Sequence, residues 1–195
     1  MKKLAIGILL ITSSITALAD SNLSAELLLG SADQKTNFEG SKSITGDDFS
    51  IGIRGTVTFN ENFELELAYQ NYGEAEDSFN GGYGNTISDK STVKAFSFGV
   101  KGLIPLKNKL SLFGRAGLAS WDFEVKETDS LSPVFDFNGE DDGVDLYFGA
   151  GIEYSIQKTW SLGLEYTYME LGLNVSGVKA DHEVTNLGLS LGYDF

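Results

Sequence analysis

The chain has 195 residues, no cysteine and a formal net charge of −14, from 28 acidic and 14 basic side chains. The lack of cysteine excludes disulfides, and the acidity argues against a nucleic-acid partner, because phosphate binding needs a basic face. Glycine is abundant and proline is rare, with 23 and 2 residues, and there are 8 tyrosines and 13 phenylalanines. This composition favours strands joined by tight turns.

The N-terminus has the pattern of a secretory signal peptide. Met1-Lys2-Lys3 is followed by the apolar run Leu4 to Ile11 and then by Ala17-Leu18-Ala19. A charged start, a short apolar core and small residues at the end are typical of a cleaved export signal. The apolar run is too short for a membrane helix, which needs roughly 20 residues. We therefore expect residues 1–19 to be removed and residues 20–195 to form one domain.

Eight later segments alternate apolar with polar or small residues. The predicted strands cover about 23–32, 48–59, 63–70, 93–104, 110–123, 144–156, 160–169 and 184–195. Short turns are expected at 60–62, 105–109 and 157–159, and long loops at 33–47, 74–92, 124–143 and 170–182. An even number of strands of about ten residues with period 2 is typical of a transmembrane barrel. Short turns on the periplasmic side would place both termini there.

The choice of which face points outward separates a membrane barrel from a soluble one. The polar face is rich in glycine, which suits a narrow interior; these glycines are Gly52, Gly99, Gly117, Gly149, Gly151, Gly163, Gly188 and Gly192. The apolar face carries aromatic residues next to the short turns, as expected for a periplasmic girdle: Phe59, Phe63, Tyr154, Trp160, Tyr193 and Phe195. A second set at the other rim is Phe49, Tyr69, Phe96, Tyr166 and Tyr168. We therefore predict an all-β, eight-stranded antiparallel up-and-down transmembrane barrel.

Three segments resemble the OmpA-like family of outer-membrane barrels. Gly114-Arg115-Ala116-Gly117-Leu118-Ala119-Ser120-Trp121 resembles its fifth strand, and Asp142 to Tyr154 resembles its sixth. The ending Leu187 to Phe195 resembles the terminal strand that the family's assembly machinery reads. The resemblance implies location in the outer membrane of a Gram-negative bacterium and leaves the function open. Larger members carry a peptidoglycan-binding domain after the barrel, and none is expected here.

Charged residues on the inward face are expected to form a network inside the barrel. Its basic members are Arg54, Lys101 and Arg115, and its acidic members include Glu26, Glu64, Glu66, Asp145, Glu153 and Glu165. Charges in a closed interior must pair or hydrate. Arg54 is expected to face Glu64 and Glu66 on the next strand, and Arg115 to lie beside the strand of Asp145 and Glu153. A salt-bridged plug is favoured over a cation path.

Other candidate sites are weaker. His182 is the only histidine, and no serine is tied to it by spacing, so we interpret it as a loop-edge or strand-end residue. The acidic stretch Asp136 to Gly143 lacks the glycine and the glutamate of a calcium loop, so a solvated loop is favoured. The cluster Asn80 to Asn85 lacks the lysine of a phosphate loop. No catalytic, cofactor or metal residue is predicted.

The leading hypothesis is therefore a non-enzymatic outer-membrane protein with a structural or surface-interaction role. Its expected partners are outer-membrane lipid and lipopolysaccharide, the assembly machinery through the strand ending at Phe195, and host or cell-surface ligands at four extracellular loops. The alternatives are a narrow channel or hydrophobic-ligand conduit, as in OmpW-like barrels, and a lipid-A-modifying enzyme.

Overall fold

A computed structural model describes residues 22–38, 43–80, 84–131, 136–175 and 177–195. It contains eight strands, which are β1 (Asn22–Phe38), β2 (Ile44–Asn60), β3 (Phe63–Asn80), β4 (Thr86–Pro105), β5 (Leu110–Asp129), β6 (Phe137–Ser155), β7 (Trp160–Val175) and β8 (Val178–Asp194). The predicted signal peptide lies outside the described residues, as does the middle of the glycine cluster. Among the described residues, no helix is long and apolar enough to cross a membrane.

The strands form a closed antiparallel barrel in which each strand pairs with its sequence neighbours and β1 pairs with β8. The pair Ala25↔Tyr193 and its neighbours complete the closure. Closure leaves no free sheet edge where the ladder is complete. The predicted fold class is confirmed, as are the three short turns, which lie between Asn60 and Phe63, Pro105 and Leu110, and Ser155 and Trp160.

The prediction of four long loops is wrong. Most of the residues assigned to them belong to strands, and the remaining connections lie between Phe38 and Ile44, Asn80 and Thr86, Asp129 and Phe137, and Val175 and Val178. The predicted solvated loop at Asp136 to Gly143 is mostly the start of β6. Adjacent strand residues point to opposite faces. The acids of this stretch therefore do not surround one point, as a calcium loop would require.

The outer face changes character partway along every strand. Near the short turns it is apolar, in a zone that we call the belt (23–30, 49–60, 63–70, 95–105, 110–119, 144–155, 160–169 and 186–194). Beyond the belt it is polar and charged, in a zone that we call the tower (31–38, 44–48, 71–80, 86–94, 120–129, 137–143, 170–175 and 178–185). In β5, exposed Leu112 and Leu118 are followed by exposed Asp122 and Glu124.

The inner face changes in the opposite sense. On β5, buried Arg115 lies in the belt, whereas Trp121 and Phe123 lie buried in the tower, where they are 2% exposed. One cluster of buried apolar side chains fills the tower and reaches the upper edge of the belt; besides these two it contains Val93, Ala95, Ala119, Tyr147, Met169, Leu171, Leu173, Val175, Ala180 and Val184. The belt is therefore built like a membrane barrel and the tower like a soluble one. This exchange of polarity between the two faces explains why the sequence predicted loops where the tower lies. Apolar residues of the tower lie on its inner face and no longer mark the outer one.

A bulge in β3 marks the boundary between the two zones. The pairing with β4 shifts between Asn71 and Glu74, and Gly73 has a φ of 81° that suits glycine. A Cβ at Gly73 would lie 2.6 Å from Asp48 Oδ2, which accepts a hydrogen bond from Glu74 N at 2.7 Å. Hydrogen bonds from backbone amides hold the pKa of the Asp48 carboxyl below its ordinary value. The bulge breaks the two-residue period, which is why β3 appeared to end there.

Two outward substitutions on β8 should locate the edge of the belt. Leu189 lies in the belt and is 54% exposed, and Thr185 lies outward in the tower. Leu189→Arg should lower the unfolding free energy in lipid bilayers by about 2–4 kcal/mol, whereas Thr185→Arg should cost about 1 kcal/mol or less. Denaturant titration in liposomes measures both. Equal costs would show that hydrocarbon does not end between these residues.

Candidate functional site

Arg54 is the centre of the ion network inside the belt. Its guanidinium contacts carboxylates from three other strands: Glu26 at 2.7 Å, Glu165 at 2.9 Å and Glu66 at 3.7 Å. All four side chains are almost fully buried. An unpaired charge in such a place is costly, whereas bidentate arginine–carboxylate pairs are strong and geometrically specific. The contact set therefore ties β1, β2, β3 and β7 together across the lumen.

Arg115 shares two of these carboxylates. Its two terminal nitrogens lie 3.0 Å from Glu66 and 3.0 Å from Glu165. Glu66 also accepts a hydrogen bond of 2.5 Å from the Tyr147 hydroxyl. The Arg115 guanidinium lies 4.8 Å from the centroid of the Phe113 ring. These contacts close the lumen at the level where the two arginines meet.

Lys101 occupies the end of the same network that lies next to the short turns. Its ammonium lies 2.6 Å from Glu153 and 3.2 Å from Glu64, and it is 2% exposed. Its nitrogen also lies 5.0 Å from the Phe113 ring. In total, three cations contact five carboxylates in the described interior. The lumen of the belt is thus filled by charge pairs, with carboxylates in excess.

The structure places the eight sequence-predicted interior residues on inward faces but pairs them differently from the expectation. Arg54 contacts Glu66 and lies beyond ion-pair distance of Glu64, which contacts Lys101 instead. Arg115 contacts neither Asp145 nor Glu153. Asp145 accepts hydrogen bonds from Trp121 Nε1 at 2.8 Å and Gly172 N at 3.3 Å and has no ion pair among the described residues. Long side chains meet across the narrow lumen, so strand adjacency does not predict their partners.

The sequence analysis did not identify Tyr147 and Trp121. Both side chains belong to the apolar cluster, and their polar atoms donate hydrogen bonds to inward carboxylates. Between the ion network and the apolar cluster lies a cavity of about 20 Å³, lined by residues that include Arg54, Gln70, Tyr72 and Tyr147. A space of this size holds about one water molecule. Glycine provides the room for the large side chains, since a Cβ at Gly143 would lie 2.5 Å from Trp121. The signal in the sequence that could have revealed these residues is a glycine on the strand next to a large aromatic residue.

His182 lies inside the tower, so its interpretation as a loop-edge or strand-end residue is wrong. It is 0% exposed, and its Nδ1 is 2.8 Å from Thr36 Oγ1. Its Nε2 lies 3.3 Å from Gln34 Oε1, and its ring packs edge-on against Phe123 at 4.9 Å. Burial lowers the pKa of His182 to about 4. The ring is thus a neutral member of the core, and Asp181 and Glu183 point outward.

The upper interior of the tower also holds a row of acids. Asp77 is paired with Asp89, which is paired with Glu127 on the next strand. Burial, together with the charges of Glu127 and Asp77, raises the pKa of Asp89 to about 6. In the described residues, no group of three or more acidic or histidine side chains is arranged to hold a metal ion.

The outer face of the tower is predominantly acidic. Carboxylates stand directly opposite each other on neighbouring strands at Asp122↔Asp142, Glu124↔Glu140 and Glu170↔Glu183. Like charges in this arrangement destabilise a sheet. Lys90 relieves this repulsion elsewhere, with Glu74 at 2.7 Å and Glu76 at 3.4 Å. On the β8 side, Glu183 lies 3.9 Å from Lys35.

The tower has two incomplete ladders. One lies between β2 and β3, whose pairing ends at Ile51↔Asn71, and the other, which we call the seam, lies between β6 and β7. Pairing of β6 with β7 ends at Tyr147↔Met169, although both strands continue in the tower. Beyond that point, side chains replace the ladder: Asp145 accepts from Gly172 N at 3.3 Å and Asp141 accepts from Asn174 N at 2.6 Å. Residues 138–146 of β6 are paired with β5, and residues 170–175 of β7 are paired with β8. Each strand therefore presents one unladdered edge to the seam.

The six residues of the expected periplasmic girdle lie on the outer face next to the short turns. Phe59 and Phe195 are the most exposed, at 63% and 78%. Trp160, Tyr193 and Phe195 pack edge to face with centroid distances of 5.0 and 5.1 Å. At the other rim, Phe49, Tyr69, Phe96 and Tyr166 are exposed and Tyr168 is half-buried. Aromatic residues thus flank the belt on both sides.

The family model described as "Outer membrane protein beta-barrel domain" matches residues 5–195. The comparison with curated proteins finds no match to this sequence. Among solved structures, the chain is similar to Ail, the attachment invasion locus protein of Yersinia pestis, with 17% identity and a TM-score of 0.54. That match covers 88% of this chain and 98% of Ail.

Two further structures share the architecture. Neisserial surface protein A matches with 15% identity and a TM-score of 0.54, over 88% of this chain and 97% of that one. The outer membrane protease OmpT of Escherichia coli matches with 11% identity and a TM-score of 0.52, over 89% and 97% of the two chains. Identities this low show a common fold, and a fold that also hosts a protease does not decide the activity.

The ion network should contribute far more to stability than a surface pair. Arg115→Ala should lower the unfolding free energy by about 3–5 kcal/mol, because it leaves Glu66 and Glu165 buried with less compensation. Adding Glu66→Gln should restore part of that loss. The control is Lys90→Ala, which breaks an exposed pair and should cost about 1 kcal/mol or less. Denaturant unfolding in micelles tests these values, and equal losses for Arg115→Ala and Lys90→Ala would contradict the assignment.

His182 should make the tower sensitive to acid. Its pKa is about 4 in the folded chain and 6.5 in the reference state, so between these values the unfolded chain binds more protons. The stabilising contribution is complete above pH 6.5 and is lost towards pH 4, by about 3 kcal/mol in all. His182→Gln should remove this dependence. Carboxylates titrate in the wild type and in the His182→Gln variant alike. Hydrogen-exchange protection should therefore be measured in both proteins at pH 7.5 and 4.5, and the part of its decline that occurs only in the wild type is due to His182. An identical decline in both would refute this account.

Proposed function

Because the chain belongs to the outer membrane protein β-barrel domain family and is an outer-membrane barrel, we propose that it is non-enzymatic and non-conducting and presents an acidic tower to the cell's surroundings. The observation that supports this proposal is that side chains fill the interior in both the belt and the tower. Charge pairs around Arg54 and Arg115 fill the belt, and the cluster around Trp121 fills the tower. Transport needs a continuous path, whereas presentation needs a rigid support.

The tower faces outward from the cell, and both termini and the short turns lie on the periplasmic side. Outer-membrane barrels have short periplasmic turns and longer extracellular parts, which supports this orientation. The belt contacts outer-membrane lipid, and the base of the tower lies level with the lipopolysaccharide headgroups. The strand that ends at Phe195 serves as the recognition element for the assembly machinery.

The charge of the tower restricts the kind of partner. Ail has been crystallised with the heparin analogue sucrose octasulfate, which is a polyanion. The outward tower residues of the present chain are predominantly acidic, including the opposed pairs Asp122↔Asp142 and Glu124↔Glu140. A polyanion would be repelled by this surface. A cationic partner on a host or neighbouring cell is therefore the better match.

The enzyme alternative has little support in the tower. His182 has a threonine and a glutamine as hydrogen-bond partners, and both Thr36 and His182 are almost completely buried. A catalytic base needs a substrate within hydrogen-bond reach. The filled core leaves no room for one beside this ring.

A planar bilayer and a cell-attachment assay test the proposal together. The wild-type barrel should give no steady single-channel current, whereas Arg115→Ser combined with Trp121→Ala and Phe123→Ala should conduct, because both fillings are opened. Cells displaying the barrel should attach to cultured mammalian cells more than cells without it. Neutralising Asp122, Glu124, Glu140 and Asp142 as amides should remove that gain at equal surface level.

A steady wild-type current that is lost on changing Arg54 or Arg115 would instead favour the channel alternative. Attachment unchanged by the four amides would overturn the role of the acidic surface.

A further inference from the structure

A row of three carboxylates lies inside the mouth of the tower. Asp77, Asp89 and Glu127 occupy paired positions on β3, β4 and β5, on the inner face of the barrel. Each lies within three positions of the end of its strand. Neighbouring strands lie about 4.8 Å apart, so the three carboxylates span about 10 Å. We call these three residues the acid row.

The negative charge of the acid row is not compensated by a neighbouring side chain. Asp89, at its centre, is 5% exposed, and its carboxylate has no hydrogen bond or ion pair among the described residues. Within the same residues, Asp77 and Glu127 also lack such a partner. Lys90 and Lys126 follow or precede the row in sequence, but they stand opposite each other on the outer face. Burial of an unpaired carboxylate is costly, and like charges on both neighbouring strands add to that cost.

A further acceptor without a donor lies on the side of the row that is nearer the opening. Asn85 stands four residues before Asp89 and is 9% exposed. Its amide nitrogen donates to Asp129 at 2.6 Å, whereas its buried Oδ1 has no hydrogen-bond partner in the part of the chain that the structure describes. Buried polar groups of folded proteins nearly always have a partner. The unmatched atoms of Asn85 and the acid row are all acceptors, so what they lack is a donor that carries positive charge.

The arrangement of these acceptors restricts the class of ligand. In the described residues, no group of three or more acidic or histidine side chains is arranged to hold a metal ion. The carboxylates are spread along three strands rather than around one point, which suits an extended organic cation. Ammonium and guanidinium groups carry several N–H donors, and their charge-assisted hydrogen bonds to carboxylates are strong.

We propose that the acid row binds the ammonium or guanidinium groups of a cationic ligand that enters the mouth of the tower from outside. Asp89 supplies the central carboxylate, and Asp77 and Glu127 accept hydrogen bonds on either side of it. A free polyamine and the basic side chains of a partner protein present the same chemistry, and the experiment below separates them. The inference rests on the proposed surface-interaction role and names an interior site for its cationic partner.

Isothermal titration of the full barrel in nanodiscs of zwitterionic lipid tests this site. Spermidine should bind, whereas a bis-quaternary ammonium ion of similar length should not, because it carries the charge without N–H donors. The peptide Lys-Gly-Lys with blocked ends represents a partner protein. Binding of spermidine alone would assign the site to a free polyamine, and binding of the peptide as well would assign it to protein side chains.

Asp89→Asn is the decisive variant, because it removes the central charge and keeps the size of the side chain. It should weaken the binding of spermidine about tenfold, which is the loss of one charge-assisted contact. The matched control is Asp33→Asn, which removes the same charge from the exposed outer face of the tower and should leave the affinity unchanged. Asp89→Asn also relieves repulsion within the row, so the ligand-free variant should melt at a higher temperature than the wild type. Lost binding then cannot result from misfolding.

Mild acid gives a second readout that is specific to the row. Burial, together with the charges of Glu127 and Asp77, raises the pKa of Asp89 to about 6. The other inward acid on the neighbouring strand is Asp129, to which Asn85 donates. Carboxyl groups with ordinary pKa values stay ionised between pH 7.5 and 5.5. The affinity of the wild type should therefore fall over this range, and that of Asp89→Asn should not.

Three results would overturn the site. Equal losses of affinity in Asp89→Asn and Asp33→Asn would show diffuse attraction by the acidic tower. Binding of the quaternary ion as tightly as spermidine would show that the donors play no part. Absence of binding by both spermidine and the lysine peptide would exclude a cation site in the row. The conductance and attachment assays would still decide the broader function independently.

Discussion

A backbone that crosses hydrocarbon must find all of its hydrogen-bond partners within the protein, and the rest of this structure depends on that constraint. Among sheets, only a closed one meets it. Eight strands close with β1 against β8 and leave a lumen too narrow to remain empty. The inward side chains must fill that space, and the outward ones must match whatever surrounds the barrel at each height.

The surroundings change at the edge of the membrane, and the two faces exchange chemistry there. In the belt the outside contacts lipid, so charges such as Arg54 and Glu165 lie inside and must pair. In the tower the outside contacts water, so Trp121 and Leu171 can lie inside and charges can lie outside. The chain thus stacks a membrane barrel and a soluble barrel on the same eight strands. Both fillings support the proposed role of a non-conducting display.

Complete pairing is obligatory only where water is absent. The ladders between β6 and β7 and between β2 and β3 end at Tyr147↔Met169 and Ile51↔Asn71, near the upper edge of the belt. There, Asp141 and Asp145 can take the place of backbone partners, because water can solvate the remaining groups. Access of water near the edge of the membrane is what permits these ladders to end.

The amino-acid sequence by itself determined the strand number, the short turns, the outward belt and the inward position of charges such as Arg54, Lys101 and Arg115. All of these follow from a period of two residues, which is a local property. Only the tertiary structure decided which charges meet, because Arg115 reaches Glu66 and Glu165 across the lumen rather than along a ladder. It also decided that residues such as His182 belong to strands, since polarity inverts above the belt and the bulge at Gly73 resets the period. Alternation in sequence specifies two faces, but closure and solvent determine what each face contacts.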